Sequence, residues 1–312
     1  MTTVANTHLT YGRLGNHNAQ GGEGNHTDIK QYDGRPYLSG QTVRQALREA
    51  VHEGDRGDEM QCTPSRPCGQ LNECLMCDVF GYFAEGISEF PEETSSARRG
   101  PLSVPFALAE HEVEITPDQL AQFDDVSGDK DHNLATRDVA AAVYRGGWVL
   151  NADRVGHRRI EDIDEEADYT ESYRRTDDRI VEPETQAERV AAVVRAAMNL
   201  RSFAGQARHA ADWTPDLVVT GVQETARNRL LSALKTKNGD GETPKMATRH
   251  LESVLSDIDG QLYAAGNYDP NLIANWNETM EMLEAHDTVR VVDSVTVAYE
   301  NTAELAATEL AE

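Results

Sequence analysis

Apolar residues at Val43, Ala46, Leu47, Ala50 and Val51 follow the spacing i, i+3, i+4, i+7, i+8, which predicts an amphipathic helix capped by Ser39. A second stripe, Val190, Val193, Val194, Ala197 and Leu200, predicts another helix, with Thr185 and Glu188 as a capping box and Gly205 as its stop. Stripes at Ala247, Leu251, Val254, Leu255 and Ile258, and around Leu272, Ile273, Trp276 and Met280, predict two more. Two-residue alternation instead marks Val143 to Val155 as a long strand with Tyr144, Trp148 and Leu150 on one face. Val4 to Leu9 and Asp216 to Thr220 read as strands and Arg99 to Ala109 as an extended segment. The β-branched stretch Val289 to Tyr299 reads as one strand or a hairpin.

Three polar stretches interrupt this pattern. Gly12 to Asp33, rich in Gly, Asn and His, is expected as a surface loop able to bind. Gly54 to Cys77 is a cysteine-bearing excursion that ends in the apolar Asp78 to Phe83. Thr116 to Asp138 is acidic, with Gly128 amid Asp and Asn, and is expected as a flexible projecting loop. The element order is that of an α+β sheet with helices on one face, such as the ferredoxin-like or RNA-recognition fold. One domain over residues 1–312 is expected, with insertions at about 54–98 and 116–138 and a helical region at 225–288; no internal repeat is present.

Charge changes the picture. The formal net charge is -25, with acid spread along the chain as well as concentrated from Glu161 to Asp168. Lysine is confined to Lys30, Lys130, Lys235, Lys237 and Lys245, and arginine is common. A carboxylate shell of this kind keeps a protein solvated in a very salty cytosol; an acidic tail for a basic partner would concentrate the charge in one block. In molar salt the Debye length is about 3 Å, so any recognition of nucleic acid rests on arginine forks, backbone N–H groups, amides and stacked rings. No run of roughly 18 apolar residues and no basic-then-apolar leader occurs, which points to a cytosolic protein without a membrane partner.

Cys62, Cys68, Cys74 and Cys77 are the only cysteines. The last pair has the two-residue gap that lets one ion hold both thiolates, and the others are spaced more loosely than a zinc ribbon needs. A structural zinc and unlinked thiols packed in a loop both fit; disulfides do not fit a reducing cytosol. A closed four-thiolate site would leave no open position for hydrolysis, and no other cofactor is indicated.

Gly15 to Asn18, Tyr37 to Arg44, Cys74 to Phe83, Gly100 to Val104, Tyr144 to Gly156 and Phe203 to Arg208, in that order, resemble the DevR family of CRISPR-associated proteins. The likeness spans most of residues 1 to 220. It implies a modified RNA-recognition palm with an inserted thumb. It also implies the role of repeating backbone subunit in a type I (I-B) Cascade complex, binding guide RNA and contacting further copies head to tail, other Cascade subunits, and target DNA through the guide. The family's autoregulator name reflects a genetic effect and is no evidence of a DNA-binding domain.

Against that resemblance, several residues become candidate RNA ligands. Ser39, Gly40, Gln41, Arg44 and Arg48 start a helix whose free N–H groups and arginines suit phosphate, with Gly40 allowing close approach; an ordinary capped helix with solvent-facing arginines has the same sequence. Asn16, His17 and Asn18 can bond ribose or base edges. His17 with His26 could alternatively serve acid–base cleavage. Gly205, Gln206 and Arg208 would lie along the guide backbone, or simply end a helix. Lys130, His132, Asn133 and Arg137 are the RNA-facing residues of the 116–138 thumb, a role that Glu85 to Arg99 could supply or share. Tyr144 and Trp148 are read as core in preference to base-stacking residues. The rivals to a non-catalytic subunit are a type III-like RNA endonuclease using Asp28 and a zinc-stapled transcription regulator.

Overall fold

The computed structural model describes residues 2–21, 26–54, 62–63, 65–83, 97–122, 133–163, 173–200, 213–225, 227–237 and 243–311. The N-terminal strand β1 (Thr3–Gly15) runs well past Leu9 and is followed by β2 (Ala19–Gly21), β3 (His26–Ile29), β4 (Gln31–Tyr32) and β5 (Arg35–Leu38). The expected Gly12 to Asp33 surface loop is therefore corrected to strands. Its polar groups bond backbone in place of water: Asn18 Nδ2 donates to the Tyr37 carbonyl at 2.8 Å and Lys30 N to the Asn18 carbonyl at 3.0 Å. Asp33 and Gly34, both at positive φ, make the tight β4–β5 turn.

Helix α1 (Gly40–His52) buries Val43, Ala46, Leu47 and Val51, and Ser39 Oγ accepts from Thr42 N at 3.2 Å. After the cysteine segment come a π-helical turn (Met76–Phe80), β6 (Gly81–Phe83), β7 (Ala97–Arg99), β8 (Leu102–Ser103) and β9 (Ala107–Ala109). Strand β10 (Thr116–Gln122) pairs antiparallel with β11 (Asn133–Asn151) from Thr116↔Val139 to Gln122↔Asn133. The arms of the expected projecting loop are thus a β-ladder continuous with the central sheet; residues 123–132 lie outside the described residues.

A hairpin of β12 (His157–Ile163) and β13 (Tyr173–Arg179) precedes α2 (Pro183–Ala196). The capping box is not formed: α2 starts after Glu182 with Pro183 in its first turn, no side chain caps it, and Thr185 lies inside the helix. Strand β14 (Leu217–Gln223) leads to the short pair β15 (Thr236–Lys237) and β16 (Lys245–Met246), then α3 (Thr248–Ser256), β17 (Gly260–Gly266), α4 (Trp276–Ala285), β18 (Val289–Val291) and α5 (Val295–Ala311). The 225–288 segment is therefore not wholly helical, since β17 joins the sheet between β14 and β18. The strand expected through Tyr299 is also corrected. Val295, Ala298, Tyr299, Thr302, Ala303 and Ala306 bury one helical stripe, and Ser294 Oγ accepts from Val297 N at 3.2 Å at its start. Helical periodicity outweighs β-branched propensity there.

The main sheet runs β18-β17-β14-β1-β11-β9-β5-β4. Alternation along β1 sends Val4 into a core under α1, α2 and α5, and Ala5 and Leu9 into a second core under α3 and α4. Helices thus cover both faces, a correction to the expected single layer. Tyr144, Trp148 and Leu150 are buried in the first core, as the alternation predicts. Each such side chain contributes roughly 1.5–3 kcal/mol of burial. No helix among the described residues is long and apolar enough to cross a membrane.

Candidate nucleic-acid interface

A cleft of about 610 Å³ opens between α1 and the segment from Cys62 to Val104. Gln41, Arg44 and Arg48 reach it from successive turns of α1. Tyr82, Phe83, Arg98 and Arg99 reach it from the β6–β7 hairpin, and Cys62 and Cys77 also line it. Four guanidinium groups and three aromatic rings, Phe80 included, around one opening suit a phosphodiester chain.

These arginines are not equivalent. Arg44 Nη1 donates to the Leu102 carbonyl at 3.2 Å and Nη2 to the Phe80 carbonyl, so this side chain braces the cleft, and burial lowers its pKa. Arg48 lies over the Phe80 ring at 5.0 Å; burial lowers its pKa too, while the neighbouring Cys62, Cys77 and Cys74 raise it. Arg98 donates to the Asp78 and His157 carbonyls and to Asp78 Oδ1 at 2.5 Å. Arg99 is exposed.

The four cysteine sulfurs all lie within 4.8 Å of one another. Cys62 Sγ is 3.1 Å from Cys74 Sγ and 3.4 Å from Cys77 Sγ, and Cys68 Sγ is 3.7 Å from Cys77 Sγ. Those separations exceed a disulfide and approach the edge of about 3.8 Å that a tetrahedron with bonds of about 2.3 Å requires. Cys77 N also points at Cys74 Sγ at 3.5 Å. The arrangement can hold a metal ion. Directly behind it, Asp78 is fully buried and accepts from Arg98, from Arg189 Nη1 at 2.9 Å and from Gly156 N at 2.8 Å. Burial pushes its carboxyl up, against the pull of the two guanidinium groups.

A family model for the CRISPR-associated negative auto-regulator DevR/Csa2 matches residues 39–228, which include every residue of the cleft. The chain belongs to that family. Two solved structures resemble it in fold. A chain of a "CRISPR RNA-guided surveillance complex" has a TM-score of 0.60 at 17% identity, covering 97% of this chain and 99% of its own. A chain of a "CRISPR RNA-guided surveillance complex, pre-nicking" has 0.57 at 15%, with the same coverage. No curated protein sequence matches.

In this DevR/Csa2 chain, Asn16, His17 and Asn18 are buried, a correction to their expected place on a surface loop open to ribose or base edges. Asn16 Nδ2 donates to the Asp28 carbonyl at 3.4 Å, and His17 Nε2 lies 2.7 Å from the Arg13 carbonyl with its ring against Trp213. Asn18 Oδ1 accepts from Thr42 Oγ1 at 3.3 Å, which ties these strands to the Ser39 cap. Gly40 is also corrected: the space a Cβ would need is taken by the Val104 carbonyl, so the close approach is by backbone and not by phosphate.

The histidine pair weighed for cleavage is not assembled, because His17 is sealed among rings. His26 Nε2 pairs with Asp138 Oδ1 at 2.9 Å and lies 3.6 Å from Asp28 Oδ1. His26, Asp28 and Asp138 have ligand atoms within 4.8 Å of one another. Asn133 opens β11 opposite Gln122, and Arg137 sits mid-strand between Asp118 of β10 and Thr27 of β3. Lys130, His132, Gly205, Gln206 and Arg208 lie outside the described residues. Tyr82 and Phe83 line the cleft without a sequence signal for it. Their apolar run suggested docking in the core, which holds for Tyr82, partly buried against it, while Phe83 is exposed.

Proposed function

We propose that this protein is a non-catalytic, cytoplasmic backbone subunit of a type I CRISPR surveillance complex, polymerising head to tail along guide RNA and presenting it for pairing with target DNA. The observation that carries this reading is the arginine and aromatic cleft inside the family-matched region. There Gln41, Arg44 and Arg48, singled out from sequence, meet Arg98, Arg99, Tyr82 and Phe83. Fold likeness to chains of RNA-guided complexes over nearly the whole length supports it.

In this reading the sheet with α1 and α2 is an RNA-recognition-like palm. The β10–β11 hairpin is the thumb, with Lys130, Asn133 and Arg137 toward RNA, and 201–212, with Gly205, Gln206 and Arg208, follows the guide backbone. Heterologous contacts between copies give an open helix because the rotation does not close. Sequence specificity belongs to base pairing. The four cysteines hold a structural zinc that fixes the excursion against α1; a closed thiolate set supplies no reactive water.

The test is native purification in molar KCl followed by sequencing of bound RNA and sizing of the particle. Repeat-derived short RNA in a multi-copy particle is the expected result. A lone monomer without oligonucleotide overturns the reading.

A further inference from the structure

Strand register places an aromatic face at the β4–β5–β9 end of the sheet. Tyr37 pairs with Leu108 across β5 and β9, and Tyr32 with Arg35 across β4 and β5. Antiparallel partners project to the same side. Leu38, Ala107 and Ala109 fill the core under α1, so Tyr32, Arg35, Tyr37 and Leu108 occupy the opposite side. Phe106, one residue before β9, keeps the parity of Leu108, and its ring lies 5.5 Å from that of Tyr37 at 74°. Tyr32 is 66% exposed and Phe106 63%. The core under α3 and α4 covers this side of β14, β17 and parts of β1 and β11 but includes no residue of β5 or β9.

Among the described residues, Tyr32 and Phe106 stand exposed on this face with Tyr37 half-buried beside Phe106, and the three rings ask for an occupant. Among the described residues of β4, β5 and β9 this face carries one aliphatic side chain, Leu108, beside Arg35, with Lys30 one residue before β4; rings and cations together suit nucleobases on a phosphate chain. It also adjoins the cleft. Val104 lines the cleft, its carbonyl lies over Gly40, and Phe106 follows two residues later. The edge-to-face contact with Tyr37 holds the Phe106 ring in place, so little side-chain freedom is lost on stacking.

We infer that the Tyr32, Tyr37 and Phe106 face is a stacking platform for unpaired bases of an RNA strand that passes through the cleft, an inference that rests on the RNA-binding reading above. The experiment uses the full chain and a uridine oligonucleotide, with fluorescence anisotropy across a KCl series and parallel measurement of particle size. Phe106→Ala should weaken binding about tenfold, and Phe106→Trp should restore it. The loss should persist at molar KCl, because stacking is less screened than charge. If wild type binds and Phe106→Ala binds equally well, the platform is wrong and the cleft reading stands. Unchanged affinity with shortened particles would assign the face to a second copy of the chain and overturn the proposal. Absence of any binding by wild type removes the RNA reading, and the platform with it.

Discussion

Arg189 of α2 reaches 111 residues back along the chain to pair with Asp78 at 2.9 Å, both side chains essentially sealed from solvent. The same guanidinium donates to the Leu71 and Asn72 carbonyls at 2.7 Å. Asp78 follows the last cysteine directly, so this pair, with Arg98, locks the cysteine segment to α2. Removing one partner of such a set leaves charge buried without compensation. Asp78→Ala should therefore lose roughly 3–5 kcal/mol in a urea unfolding series at fixed salt. A loss below about 1 kcal/mol would show that the site relaxes.

The sulfur cluster predicts about one zinc per chain by elemental analysis, lost in Cys74→Ser together with a lower Tm. Chelator should lower the Tm of wild type and leave that of the variant unchanged. A metal-free preparation of equal stability would assign the cysteines to packed thiols.

The helical stripes at Val43 to Val51 and Val190 to Leu200, and the Tyr144, Trp148, Leu150 alternation, are legible because each side chain's burial follows from its own period. What escaped the sequence depends on partners distant in the chain. Asn16, His17 and Asn18 look like solvent-facing loop residues until Trp213 and Thr42 close over them. The acidic stretch at Glu161 belongs partly to β12, registered opposite Arg174 and Arg175 of β13, a charge alternation that a hydrophobic pattern does not reveal. Within the cleft, Gln41, Arg44 and Arg48 were identifiable from the helix start, yet Arg44's use as a brace follows only from the positions of Phe80 and Leu102.

That division separates two arginine variants. Arg44→Ala unties the Phe80 and Leu102 carbonyls, so it should reduce co-purifying short RNA and lower the Tm together. Arg99→Ala removes an exposed cation from the same cleft and should reduce RNA yield while the unfolding free energy stays within about 0.5 kcal/mol of wild type, the range of ordinary surface changes. Equal RNA yield from both variants and wild type would place the strand elsewhere.

His26, Asp28 and Asp138 are the described residues best placed to bind a divalent cation outside the cysteines, and they test the non-catalytic reading directly. Purified particle with magnesium and complementary RNA should leave that RNA intact, and Asp28→Ala should behave as wild type. Cleavage at regular spacing that stops in Asp28→Ala would make this an enzyme.

His8 gives a pH signature of the fold itself. Its ring is buried on β1, packs over Gly146, and has Nδ1 3.0 Å from Asn6 Oδ1, while Asn6 Nδ2 donates to Tyr299 on α5 at 2.8 Å. Burial lowers its pKa from 6.5 to about 4. A histidine held neutral in the folded state leaves stability intact above 6.5 and erodes it as pH falls toward 4, because the unfolded chain takes up the proton first. Between pH 7 and pH 5 this amounts to about 2 kcal/mol at 1.36 kcal/mol per pH unit. Carboxylates titrate in the lower part of that window, so the comparison is with His8→Gln, whose unfolding free energy should fall by about 2 kcal/mol less over the same interval. Parallel pH profiles for the two proteins would mean that His8 is protonated in place, with Asn6 Oδ1 accepting from the charged ring.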